Sequence, residues 1–231
     1  MNDSVLYLIP ARYGSKGLPG KNMAMLNGKP LVQYTIECAL ELSGSENICL
    51  STDDESIIRL SEKLGLPIQF RRPGFLSGDD SSQFDVINHA LDFYSGKGKE
   101  YGTIVFLQPT SPLRKPEHIR EALELYTSDI DMVISVRETS SNPYFVLFEE
   151  NEEGFLEKVK KGNFTRRQDC PKVWEVNGAC YVINRESMKK YNSLGEFSRL
   201  RKHVMDHKYS IDIDGQEELD FAEFLITRYK L

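Results

Sequence analysis

Apolar and polar positions alternate along the chain in two rhythms. Short, almost wholly apolar runs read as buried strands: Val5 to Pro10, Asn47 to Ser51, Thr103 to Leu107 and Met132 to Val136, with a shorter one at Ile68 to Arg71. Between them lie segments with helical spacing. Leu31 to Leu42 carries apolar side chains at 31, 32, 36, 39 and 40, and Glu55 to Leu64 is stopped by Gly65 and Pro67. Ser82 to Tyr94 begins on a capping serine, and Pro116 to Tyr126 places proline in its first turn. This β-α-β-α order predicts an α/β fold, a doubly wound, mostly parallel sheet covered on both faces. In such sheets ligands lie beyond the carboxyl ends of the strands.

From Asn142 the rhythm changes. Tyr144 to Glu149, Phe155 to Lys160 and Trp174 to Ile183 read as strands or extended arms between polar loops, and a helix returns from Glu217 to Tyr229. The expected division is a core of residues 1–141 and 209–231 with an insertion at 142–208. That insertion carries nine aromatic residues, including Tyr144, Phe148, Trp174, Tyr181 and Phe197. So much aromatic surface on arms that met only water predicts a second copy to cover it, a homodimer.

Composition narrows the function. A net charge of −6 removes general nucleic-acid binding from the default expectations. The longest apolar runs are too short to span a bilayer, and the start Met1-Asn2-Asp3-Ser4 has no basic leader pattern. Cys38, Cys49, Cys170 and Cys180 form no Cys-x-x-Cys pair, which predicts reduced thiols in a cytoplasmic protein.

The densest chemistry follows the first strand: Ile9-Pro10-Ala11-Arg12-Tyr13-Gly14-Ser15-Lys16-Gly17-Leu18-Pro19-Gly20-Lys21-Asn22. Glycines let backbone N–H groups turn toward an anion, and Arg12, Lys16 and Lys21 add cations. The combination suits a triphosphate. A Walker loop is excluded, because Gly14 and Gly20 enclose five residues and Asn22 replaces the hydroxyl residue. A dinucleotide fingerprint is excluded by glycines spaced three apart. Near the carboxyl end, Ser210-Ile211-Asp212-Ile213-Asp214 reads as a strand whose alternation puts two carboxylates on one face. Such a pair facing a triphosphate suits Mg²⁺.

The loop resembles the signature of the acylneuraminate cytidylyltransferases, the CMP-sialic acid synthetases, together with their legionaminic and pseudaminic acid relatives. The likeness covers nearly the whole chain. It implies CTP phosphate binding by Arg12, Ser15, Lys16, Lys21 and Asn22. Arg72, Asp79 and Ser82, in Arg72-Pro73-Gly74-Phe75-Leu76-Ser77-Gly78-Asp79-Asp80-Ser81-Ser82, fall where the family borders cytosine. The run Gln108-Pro109-Thr110-Ser111-Pro112-Leu113-Arg114 matches the family's sugar motif, and the family's glutamine contact falls on Gln108, with Thr110 and Ser111 beside it. The family's carboxylate-binding arginine falls on Arg167 and its substrate tyrosine on Tyr181. Its metal pair falls on Asp212 and Asp214.

The resemblance further implies a dimer in which a residue near Phe197 meets the partner's sugar pocket. The implied reaction carries CMP from CTP to an acidic nine-carbon sugar, with Arg12, Lys21 and Asp212 as the catalytic set. Two alternatives compete: a cytidylyltransferase for another acid sugar such as Kdo, and a non-catalytic nucleotide-sugar-binding protein on the same fold.

Overall fold

The structure, a computed structural model, describes residues 4–14, 17–78 and 81–231. In chain order the strands and α-helices among them are β1 (Val5–Pro10), β2 (Met25–Leu26), β3 (Lys29–Pro30), α1 (Leu31–Leu42), β4 (Ile48–Ser51), α2 (Glu55–Lys63), α3 (Gln83–Ser95), β5 (Thr103–Phe106), α4 (Pro116–Leu125), β6 (Met132–Glu138), β7 (Phe148–Glu150), β8 (Leu156–Lys158), β9 (Trp174–Asn184), α5 (Arg185–Lys190), β10 (Leu200–Val204) and α6 (Gln216–Tyr229).

Six strands form the central sheet in the order β10-β6-β9-β5-β1-β4. The ladders β1–β4, β1–β5 and β6–β10 are parallel, while β9 runs antiparallel to both β5 and β6. Strand alternation sends successive side chains to opposite faces, and each face meets its own helices. Tyr7, Ile9, Ile48, Leu50, Val105, Val133 and Val182 pack with Val32 and Ile36 of α1, Ile57 of α2 and Ile119 of α4. Leu6, Leu8, Cys49, Ile104, Phe106, Met132 and Ile183 pack with Phe84, Ile87 and Leu91 of α3 and Met188 of α5. This is the doubly wound arrangement expected from the alternation. Each fully buried Leu or Ile in these layers stabilises the fold by about 1.5–3 kcal/mol.

Local chemistry starts the helices where they begin. Asp54 caps α2 by accepting from Ser56 N–H, and Pro116 occupies the first turn of α4. Ser82 caps α3 in a reciprocal box with Asp85.

The boundary of the insertion differs from the expected 142–208. Residues 174–184 and 200–204 are β9 and β10, and both belong to the central sheet. What projects is a shorter arm between β6 and β9. Its neck is closed by Thr139 N–H donating to Val173 O at 3.1 Å, and the β7–β8 hairpin lies within it. Trp174 to Ile183 reads as a strand or extended arm, and its place in the central sheet is hidden because it follows a long polar excursion that breaks the β-α rhythm. Two other readings also differ. Residues 68–71 form no strand, and residues 210–214 pair with no strand, although Ile213 N–H donates to Thr110 O at 2.8 Å. The alternation survives there without a ladder: Ile211 and Ile213 pack on α6, and the two aspartates face away.

Candidate active site

The loop at residues 11–22 leaves the carboxyl end of β1 and is tied down by its neighbours. Ala11 N–H donates to Ser51 O at 2.9 Å and Tyr13 N–H to Asp53 Oδ1 at 2.8 Å. Asn22 Nδ2 donates to Arg12 O at 3.0 Å, closing the loop on itself. Gly20 has φ of 65°, the left-handed conformation that glycine adopts without strain. A Cβ on Gly17 would overlap the carbonyl oxygen of Asp214, so the glycine permits the loop to lie against that segment. Lys21 Nζ then pairs with Asp214 Oδ1 at 2.9 Å. Residues from positions about 190 apart in sequence therefore meet at one edge.

A cleft of about 230 Å³ opens here, with Arg12, Lys21, Asn22, Arg72, Gln108 and Thr110 in its walls and Ser82 at its rim. Arg12 Nη1 donates to Ser77 O at 3.2 Å, reaching across to the segment before α3. Arg72 is buried and both Nε and Nη2 donate to Leu76 O, which fixes the plane of its guanidinium. Burial lowers the pKa of Arg72, against the pull of Asp53.

Asp212 lies beside the cleft, near Thr110 and Lys21. Its pKa is raised, first by burial and then by Asp214, while Thr110, Lys21 and Arg114 favour the charged form. Its Oδ1 is buried and has no hydrogen-bond partner. Tyr181 lies on β9 against Phe106, ring centroids 6.1 Å apart, and burial, with Asp212 and Cys180 nearby, pushes its phenol up to about 12. A neutral tyrosine at working pH can donate a hydrogen bond but cannot serve as a base.

Among the described residues no cluster of three or more His, Cys, Asp and Glu is arranged to hold a metal. Mg²⁺ does not need one, since it takes one or two carboxylates and completes its shell with phosphate oxygens and water. An orphaned, buried carboxylate oxygen on Asp212, with Asp214 close enough to raise its pKa, fits that donor set.

The structure thus gathers Arg12, Lys21, Asn22, Arg72, Ser82, Gln108 and Thr110 around one cleft, with Asp212 and Asp214 beside it. Ser15, Lys16 and Asp79 lie outside the described residues. Three other candidates sit elsewhere. Ser111 is fully buried and its hydroxyl donates to Asn177 O at 3.2 Å, a framework bond. Arg167 is on the arm, donates to Ser140 O, and lines a different pocket with Thr139 and Asn142. Phe197 is 5% exposed and packs in this chain's own core against Tyr191, so it does not project toward a partner. It is an aromatic in the stretch leading to an edge strand, which the sequence could not distinguish from one on an arm.

Sequence reasoning gave no role to Arg114, Asn177 and Gly178. Asn177 is buried: its Oδ1 accepts from Ser135 Oγ (2.6 Å) and Ala179 N–H (3.2 Å), and its Nδ2 donates to Ser210 Oγ (3.0 Å). Gly178 has φ of 71°, and a Cβ there would stand 2.5 Å from Gln108 Oε1 and 3.0 Å from Asp212 Oδ2. An Asn-Gly pair inside a strand pattern was the available signal, because it marks a bulge or a close approach.

Comparison with known proteins defines the class first. The fold matches solved CMP:2-keto-3-deoxy-manno-octonic acid synthetase complexed with CTP, with a TM-score of 0.70 at 19% identity, covering 97% of this chain and 99% of that one. The two chains share one architecture. The sequence profile described as Cytidylyltransferase spans residues 6–229, and the chain belongs to that family. It is 35% identical over 214 residues to the N-acylneuraminate cytidylyltransferase of Streptococcus agalactiae serotype V, covering 91% of this chain and 50% of that protein. It is 31% identical over 221 residues to the CMP-N,N'-diacetyllegionaminic acid synthase of Legionella pneumophila, covering 94% of this chain and 93% of that one. The chain spans about half the length of the first curated relatives it matches. No helix among the described residues is long and apolar enough to cross a membrane.

Proposed function

We propose that this chain transfers CMP from CTP to the anomeric hydroxyl of a sialic-acid-like nonulosonic acid and releases pyrophosphate. The observation that carries the reading is the meeting of Arg12 and Lys21 with Asp212, Asp214 and the neutral Gln108–Thr110 wall around one cleft. Relatives named for sialic and legionaminic acid activation support the sugar class.

The hydroxyl oxygen attacks the α-phosphorus of CTP, a P–O bond forms, and the bond to the β-phosphate oxygen breaks. Arg12 and Lys21 offset the charge that grows on the departing pyrophosphate. Arg72, locked by its bonds to Leu76 O, borders the base pocket. Gln108 and Thr110 offer neutral donors and acceptors suited to hydroxyl and amide groups of a sugar. Asp212 and Asp214 would hold Mg²⁺, which when bound draws charge from the α-phosphate and lowers the pKa of the attacking hydroxyl. Asp212 is one candidate to take up the hydroxyl proton.

The test is pyrophosphate release from each of the four nucleoside triphosphates with a panel of eight- and nine-carbon acid sugars. CTP with a nine-carbon acid is expected to turn over, and excess chelator to abolish it. Equal rates with ATP, or full activity in chelator, reject the reading.

We further propose a cytoplasmic homodimer. The free cysteines suit a reducing compartment. Val146, Leu147, Phe148, Phe155 and Leu156 are exposed together on the arm, an apolar surface suited to a second copy. A sugar-carboxylate partner at Arg167 would then come from a swing of the arm or from the other subunit. Sedimentation at micromolar concentration is expected to give twice 26.5 kDa. A single-chain mass rejects the dimer.

A further inference from the structure

Arg114 carries a charge that the reaction as described does not use. It is 5% exposed, and its partners are two carbonyls and a hydroxyl. Nη1 donates to Gln108 O at 3.1 Å and to Ala179 O at 2.5 Å, and Nη2 donates to Thr35 Oγ1 of α1 at 2.5 Å. Asp212 lies near enough to attract it, but none of these bonds reaches that carboxylate, and burying a cation so held costs several kcal/mol, more than a packed aliphatic residue would. Its bonds therefore point to a task other than stability.

The first bond closes the loop Gln108 to Arg114 into a ring, so the glutamine's backbone cannot drift from the end of its own loop. The second grips β9 where its pairing with β6 slips register. Ile134 pairs with Tyr181 and Val136 with Val176, so the four residues 177–180 face Ser135 alone. Ser135 Oγ fills the gap, donating to Asn177 Oδ1 at 2.6 Å and accepting from Cys180 N–H at 2.8 Å. A bulge of this kind re-aims the chain beside a site. Its apex is Gly178, where an added Cβ would meet both Gln108 Oε1 and the Asp212 carboxylate.

We propose that Arg114 is a positioning residue that sets the separation between Gln108 and Asp212, by clamping the Gln108 loop and the Gly178 bulge to one buried guanidinium braced on Thr35. The inference rests on the function proposed above, in which Gln108 faces the sugar and Asp212 the phosphate. Displacing reacting groups by about 1 Å costs roughly 100-fold in rate. Lysine cannot replace the clamp. Its ammonium is a single point, whereas the three acceptors lie on separate elements and need a planar fork.

The test compares the intact wild-type chain with Arg114→Lys and Arg114→Met. Four quantities are measured: melting temperature, CTP binding by calorimetry without sugar, kcat and KM for the acid sugar, and backbone hydrogen exchange in the free protein. Folded variants are expected to bind CTP within about threefold of wild type and to lose roughly 100-fold in kcat/KM for the sugar. Exchange should quicken at least about tenfold in residues 107–114 and 177–180 and stay unchanged in β1 and β4.

Unchanged exchange in those segments with unchanged sugar kinetics overturns the proposal. So does a uniform quickening across the sheet with equal losses of CTP binding and sugar turnover, which marks a general core residue. Should both variants fail to fold, Gly178→Ala reaches the same contact from the other side. It is expected to lower kcat/KM for the sugar with CTP binding retained, and unchanged sugar kinetics in that variant also overturns the clamp. Absence of acid-sugar turnover in the wild type would instead sink the functional reading, while the exchange pattern would still decide the role of Arg114.

Discussion

The two walls of the cleft are held in different ways. The described residues of the loop at 11–22 lie toward the surface, with Tyr13 69% exposed; Arg12 reaches Ser77 O and Lys21 pairs with the exposed Asp214. The opposite wall, residues 108–114 and 177–180, is built inside the protein. Ser111, Arg114, Ser135 and Asn177 are buried there and bonded to one another or to the backbone between them. A flexible polyanion can be gripped by cations in a range of positions, because charge attraction tolerates distance. A sugar must be placed by hydrogen bonds, which fail within about an ångström of their optimum. Each wall suits the ligand proposed for it.

Three substitutions would sharpen or break this contrast. The largest effect is expected from Asp212→Asn. Its carboxylate works on charge that develops during the reaction, so kcat should fall by about 10²–10³ while CTP affinity changes only a few-fold. Steady-state kinetics with near-normal kcat would remove Asp212 from the chemistry. Next comes Asn177→Ala on the buried wall. It strips three polar partners of their bonds and should cost about 3 kcal/mol, seen as a drop of roughly 6–12 °C in melting temperature. A melting temperature within a degree of wild type would show that this wall is not held as described. The smallest effect is expected from Lys21→Ala on the open wall. Melting should be unchanged, since an ion pair with an exposed partner contributes about 0–1 kcal/mol. CTP should bind about tenfold more weakly at low salt, and the difference should shrink as salt rises. Loss of stability without loss of affinity would reverse the assignment of the two walls.

The open wall was the easier to read from sequence. Glycines and cations after a strand declare themselves in one short stretch, although their partners Ser77 and Asp214 lie far along the chain. The helices α1, α4 and α6 were equally plain, since amphipathic spacing is a local property. The buried wall depends on contacts between residues 108–114, 135 and 177–180, and no window of sequence contains them. Arg114 reads as one more surface arginine until Ala179 O and Thr35 Oγ1 are placed around it. Strand β9 falls in the expected insertion for the same reason: its partners β5 and β6 are fixed by the topology, while its own pattern fits a sheet strand or an extended arm. Phe197 was assigned outward because an aromatic side chain carries no mark of the direction it faces.

The place of β9 has a consequence during synthesis. Strand β6 ends at Glu138, and its two neighbours, β9 and β10, are both made later. When the ribosome has delivered residue 138, β6 has no partner, and β5 exposes the backbone edge that β9 will cover. The next roughly 46 residues, to the end of β9, take on the order of 2–9 s at ordinary elongation rates. For that interval the nascent chain carries two apolar strands with open hydrogen-bonding edges, the form most prone to pair with another molecule. A single reversed strand, arriving after both, converts two half-sheets into one, so the sheet closes only once β9 is made. Chaperone demand is expected to concentrate in that window.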